Sequence, residues 1–156
     1  MIREVSVITA VSASHTRFLP EVWRSLSSQD LPENWKFRWY VQEDGEPSEI
    51  RSFIQSLGPE VADYASSGGQ GGVAEARNLA LARTSGEVVV LLDADDQLTQ
   101  GAIGRALQML QRGYEWCGFS AVDDHDGQIS MREGGYSARL NNDGSMPPEA
   151  NSFVRL

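Results

Sequence analysis

The sequence predicts an α/β domain, a mostly parallel sheet flanked by helices, and three observations predict it. Strand-like and helix-like patterns alternate along the chain, the succession that builds a parallel sheet with crossover helices. The run Val88 to Leu92 is apolar without polar alternation, as in a strand covered on both faces. Two strand patterns end in carboxylates, Glu43-Asp44 and then Asp93, Asp95 and Asp96. In open α/β sheets that edge is where ligands bind.

Taken in order, Val5 to Val11 form the first strand, and Ser12 to Thr16 a polar loop. The helix that follows carries Phe18, Leu19, Val22, Trp23 and Leu26 on one side, and Pro20 fits its first turn, where a missing N–H costs nothing. The segment LPENW turns the chain into a second strand, Phe37 to Gln42, which leads into Glu43-Asp44-Gly45. Ile50, Phe53, Ile54 and Leu57 have helical spacing, and Gly58-Pro59 stops that helix. Val61 to Ala65 read as a short third strand. The loop SSGGQGG then precedes VAEARNLALARTSG, an alanine-rich helix ended by Gly86. After the fourth strand, Ile103, Ala106, Leu107 and Leu110 mark one more helix, and Trp116 to Val122 one more strand. Asp126-Gly127 reads as a hairpin turn into Gln128 to Met131.

Composition bounds the function. A chain of 156 residues forms a single core. Its net charge of −9, without a basic run, excludes nucleic acid as a partner. The opening MIREVSVITAV has too short an apolar stretch for a membrane span and lacks a signal-peptide layout, so no transmembrane segment is expected. The lone Cys117 leaves no internal disulfide and no multi-cysteine metal site, which suits the cytoplasm.

The chemistry concentrates at the strand ends. Asp93, Asp95 and Asp96 repel one another when crowded, and a hard divalent cation such as Mg²⁺ or Mn²⁺ relieves that repulsion while keeping sites free for substrate phosphates. Alternatively they are an acidic turn, with Asp96 or Thr99 capping the next helix. The glycine loop is either a phosphate cradle at a helix N-terminus or a flexible connector; it matches neither a P-loop nor a dinucleotide fingerprint. Arg77, early in the next helix, either pairs with diphosphate oxygens, orients an aspartate, or is a surface arginine.

The succession VSVITAV, LPEVWRSLSSQ, VQEDGEPSE and GGVAEARNLALARTSGEVVVLLDADD resembles the nucleotide-sugar-binding half of family 2 glycosyltransferases with the GT-A, Rossmann-like fold. The resemblance covers residues 4 to 113, with the blocks in the family's order. It implies that Thr9, Ala10 and Val11 contact the nucleoside and that Glu43 and Asp44 hold the base, Glu43 standing where an aspartate is usual. It implies that Arg77 is the arginine of the family's ARN block. Asp93 and Asp95 then bind the ribose and the metal that bridges the donor diphosphate, with Asp96 beside them. The activity implied is metal-dependent inverting transfer of a sugar, hexosyltransferase-like, from a UDP- or dTDP-linked donor to an acceptor hydroxyl. Residues 1–115 would be the donor-binding part and residues 116–156 the start of an acceptor part that is expected to be truncated and incomplete.

Inversion needs a general base, which in the family is an aspartate well downstream of the DxD. No catalytic base stands out here, so the expectation is a piece of a longer transferase. A naturally short relative would instead recruit Asp123, Asp124, Asp126 or Glu149, or use a partner chain. His125 among those carboxylates offers a further metal ligand. Trp116, Phe119 and Tyr136 either stack on an acceptor sugar or pack in the core. An acceptor-side face left uncovered favours a homo-oligomer. Three other functions compete. One is a module that binds nucleotide-sugar and metal without transferring anything. Another is a nucleotidyltransferase, disfavoured because VSASHTR after the first strand has no glycine. The last is a metal-adhesion module, whose DxSxS is absent there.

Overall fold

A computed structural model describes residues 1–115, residue 117 and the strands at 121–125 and 128–132. It divides into two compact units, one of Met1–Ser27 and Leu31–Gln97, the other of Ser28–Asp30 and Leu98–Leu156.

The first unit holds β1 (Arg3–Ser12), a 3-10 turn (Thr16–Phe18), α1 (Leu19–Ser27), β2 (Trp35–Asp44), α2 (Ile50–Ser56), β3 (Ala62–Ser66), α3 (Val73–Leu81) and β4 (Val88–Leu91). The four strands form one sheet in the order β3-β2-β1-β4, and every pairing is parallel. The expected α/β fold, a parallel sheet flanked by helices, is the fold observed. Strand β1 is two residues longer at its start and one at its end than the apolar pattern predicted, and β2 two residues longer at each end, because Arg3, Glu4 and Ser12 pair with Trp35, Lys36 and Asp44.

Alternation assigns the faces of β1. Val5, Val7, Thr9 and Val11 are buried on one side, where Trp39 stacks on Trp23 of α1 at 6.1 Å and 13°. Leu19, Val22 and Leu26 of α1 are also fully buried, each stabilising the unit by about 1.5–3 kcal/mol on area grounds. On the other side, Ile8 and Tyr40 pack against Ala80 of α3. The small side chains of Ala76 and Ala80 let that helix approach the strands.

The α3 helix stops at Leu81, well before Gly86. Arg83 is drawn out of the helix, its Nε donating to Asp63 Oδ1 at 2.8 Å and Nη1 to Gln42 Oε1 at 2.5 Å. Gly86 serves close approach instead: a Cβ there would lie 2.8 Å from Glu4 O and from Ser6 N of β1. The β4 strand is not covered on both faces. Val90 and Leu92 are buried, whereas Val89 and Leu91 are 41% and 48% exposed, and among the described strands β4 is the outermost on its side of the sheet. An all-apolar run therefore reported the strand without reporting its surroundings.

The second unit contains α4 (Ala102–Gln111) and an antiparallel pair, β5 (Ala121–His125) with β6 (Gln128–Arg132). Ala102, Ile103, Ala106 and Leu107 form the buried side of α4. The N-cap position expected of Asp96 or Thr99 falls to another residue. Gly101 is the N-cap at φ +71°, and Gln29 Oε1 accepts from the Ile103 N–H at 3.1 Å. The hairpin was expected, but its first strand includes Asp123, Asp124 and His125 instead of ending at Val122. Trp116, Phe119, Asp126, Gly127, Tyr136 and Glu149 lie outside the described residues. Among the described residues no helix is long and apolar enough to cross a membrane.

Candidate functional site

At the carboxyl end of β1, the side chains of Thr9 and Val11 are buried. Thr9 Oγ1 accepts a hydrogen bond from Trp39 Nε1 at 2.9 Å, so its hydroxyl is committed to the core. Ala10 lies on the opposite face of the strand and keeps partial exposure. Just beyond, Ser12 Oγ and Ser14 Oγ each sit 2.9 Å from His15 Nδ1, a polar cluster that the sequence pattern had shown only as a loop.

The carboxylates at the end of β2 do different things. Glu43 is fully buried. Its Oε2 accepts from the Tyr64 hydroxyl at 2.5 Å and from the Ser48 N–H at 3.1 Å, while Oε1 has no hydrogen-bond partner. Burial first, and then the Glu43 carboxylate, push the Tyr64 phenol above its ordinary value, so it stays a donor at neutral pH. Asp44 faces the glycine loop, its Oδ1 accepting from Gly71 N–H at 2.7 Å and Oδ2 from Gly72 N–H at 3.0 Å. Gly72 is the N-cap of α3 at φ +87°, a conformation that favours glycine. The loop is thus tied down, and the two amides that a phosphate would have used are held by an internal carboxylate.

The end of β4 brings Arg77 and Asp93 together. Leu92 N–H donates to Ile8 O at 2.9 Å, extending the strand's attachment to β1, and Asp96 N–H donates to Asp93 O at 3.1 Å in the turn that follows. Arg77, in the second turn of α3, donates through Nη2 to Asp93 Oδ1. Both side chains are about a third exposed, so the pair is worth at most about 1 kcal/mol to stability. Its geometry is more informative: Arg77 orients an aspartate. Asp95 is exposed and Asp96 partly buried.

A divalent ion was expected at Asp93, Asp95 and Asp96. Among the described residues no group of three or more His, Cys, Asp or Glu is arranged to cage one. Asp93 is engaged by Arg77, whereas the exposed Asp95 is available to a cation. This donor set fits Mg²⁺ or Mn²⁺ bound through one or two carboxylates and completed by substrate phosphates, which is how such ions bind at phosphate-handling sites.

Sequence reasoning missed Tyr64 and Ser48 as partners of Glu43, and it weighed the glycine-loop amides as a phosphate cradle or a connector without finding their bonds to Asp44. A tyrosine in the short strand ADYAS is the available signal, but its link to Glu43 depends on the register that sets Val41 opposite Tyr64 and Glu43 opposite Ser66. Spacing along one chain does not reveal that register.

Comparison with known proteins now adds to this geometry. The family model described as Glycosyl transferase family 2 matches residues 6–150. No curated protein matches. Among solved structures, S. aureus TarS 1-349 in complex with UDP-GlcNAc superposes with a TM-score of 0.63 at 21% identity, over 80% of this chain and 36% of that one. A second structure of S. aureus TarS 1-349 gives 0.62 at 22%, over 76% and 34%. Mannosyltransferase PcManGT from Pyrobaculum calidifontis, in complex with GDP-Man and Mn2+, gives 0.60 at 23%, over 70% and 33%. At such identities the likeness establishes a shared fold. This chain spans about a third of the length of each.

Proposed function

We propose, from the premise that this chain belongs to glycosyl transferase family 2, that it binds a nucleotide-diphosphate sugar at the carboxyl edge of its sheet and transfers the sugar to an acceptor hydroxyl with inversion. The single observation that carries the site is the Arg77–Asp93 pair beside the exposed Asp95, which puts a fixed cation, an oriented carboxylate and a free carboxylate at one strand end. The donor is a UDP- or dTDP-linked sugar, and the setting is cytoplasmic. UDP-GlcNAc and GDP-Man in the similar structures support a nucleotide-sugar donor in general.

In this arrangement Arg77 holds Asp93 toward the ribose, and Asp95 offers its carboxylate to Mn²⁺ or Mg²⁺. Such an ion, when bound, neutralises charge that develops on the leaving diphosphate. Thr9, Ala10 and Val11 floor the nucleoside position, Ala10 with the side chain of least bulk. Glu43 and Asp44 stand at the base. Removing the acceptor proton is the task of a general base, and Asp123, Asp124 and His125, all in β5, are the described carboxylates and imidazole that the acceptor part of the chain offers.

The test is release of nucleoside diphosphate from UDP-, dTDP- and GDP-linked sugars by the 156-residue protein with Mn²⁺. Release from at least one donor, dependent on the metal and reduced at least a hundredfold in Asp95→Ala, is the expected result. Release that is independent of metal and of Asp95 would contradict it.

A further inference from the structure

We infer that Tyr64 is a positioning residue for base recognition: it fixes the Glu43 carboxylate so that Oε1 alone is presented to a ring N–H of the donor's nucleobase. This inference rests on the proposal that Glu43 holds the base.

Parallel pairing sets Tyr64 opposite Val41 and Ser66 opposite Glu43. Residues two apart share a sheet face, so the tyrosine lies diagonally behind the glutamate on the same face and reaches forward to it. Its hydroxyl meets Oε2 at 2.5 Å, and the Ser48 N–H meets the same oxygen at 3.1 Å. Two donors converge on one oxygen, and that fixes the plane of the carboxylate. The other oxygen, Oε1, is buried and has no hydrogen-bond partner. Buried acceptors are nearly always satisfied, because an unmet one forfeits its hydration without return. Glu43 is 0% exposed before a ligand arrives, so a base that uses Oε1 must also uncover it.

An ionised carboxylate only accepts. Uracil and thymine carry a donating ring N3–H, whereas cytosine has a lone pair at that position. A site whose acceptor is left unmet rejects the wrong base far more strongly than one built on apolar contact. Tyr64 raises this selectivity without touching the base, because without its hydroxyl the carboxylate is free to turn.

Calorimetric titration of UDP and of CDP with Mn²⁺ tests this on the parent chain, Tyr64→Phe, Glu43→Gln and the double variant. The parent is expected to prefer UDP. Tyr64→Phe should weaken UDP about tenfold, the scale of a hydrogen bond to a charged group, with little change in CDP, so the UDP-to-CDP ratio collapses. Glu43→Gln should collapse the same ratio, and the double variant should be no worse than Glu43→Gln, since one side chain acts through the other. Equal weakening of UDP and CDP in Tyr64→Phe, or additive losses in the double variant, would reduce Tyr64 to a packing residue and overturn the inference. So would a collapse in Glu43→Gln with the ratio intact in Tyr64→Phe, which would leave Glu43 as the base-holding residue. An unchanged ratio in Glu43→Gln would remove Glu43 from the base site, and the role of Tyr64 with it.

Discussion

At the candidate site the Arg77 guanidinium is the charged partner of Asp93. A fixed, always-ionised fork holds a carboxylate in one orientation better than an ammonium does. Replacing Arg77 with alanine frees Asp93 to turn and restores repulsion among the neighbouring aspartates. The expected outcome is a loss of metal-dependent UDP affinity of about tenfold or more, on the scale of a charge-assisted hydrogen bond, with little change in thermal stability because the pair is a third exposed. Arg77→Lys should recover only part of the affinity. Calorimetry and thermal denaturation on the same samples check both halves, and equal affinity in Arg77→Ala and the parent would contradict the orienting role. The DxD, the arginine and the acidic pair were legible as residues, since charged groups in an apolar context stand out. Their partners were not. That Trp39 takes the Thr9 hydroxyl, that Tyr64 holds Glu43 and that two glycine amides hold Asp44 all depend on strand register and loop path.

The helices were legible from periodic apolar patterns and β4 from an unbroken apolar run, and they misled where burial was inferred from composition alone. The α3 helix illustrates the first limit: alanine-rich sequence continues to Ala82, but tertiary contacts of Arg83 with Asp63 and Gln42 end the helix early. The β4 strand illustrates the second, since Val89 and Leu91 are as apolar as their neighbours and yet exposed. Gly86, which looked like a helix stop, is required by the strand beside it. Its added Cβ would meet backbone atoms Glu4 O and Ser6 N, both at 2.8 Å, and backbone cannot swing aside as a side chain can. Gly86→Ala should therefore destabilise the protein by about 1–3 kcal/mol, measured by urea unfolding. A neutral or stabilising effect would show that Gly86 is a chain terminator for α3 and nothing more.

At the scale of the whole molecule, the parallel sheet gathers Glu43, Asp44, Asp93 and Asp95 at the carboxyl ends of its strands. Folding holds Tyr64 protonated beside Glu43, raising its phenol above the unfolded value of about 10. The native state thus resists losing that proton, so the contribution is complete below pH 10 and declines as pH rises past it, because the unfolded chain ionises first. Stability measured by urea unfolding should fall above pH 10 in the parent and fall less steeply in Tyr64→Phe; identical slopes would argue against the contact. On the proposed function this edge is a donor site in which Asp95 would receive a cation and the diphosphate would complete its shell. Titrating UDP into the parent chain and into Asp95→Ala, each with and without Mn²⁺, tests that claim most directly. Binding that needs Mn²⁺ in the parent and disappears in Asp95→Ala is the predicted result. Binding that is indifferent to both the metal and Asp95 would contradict it.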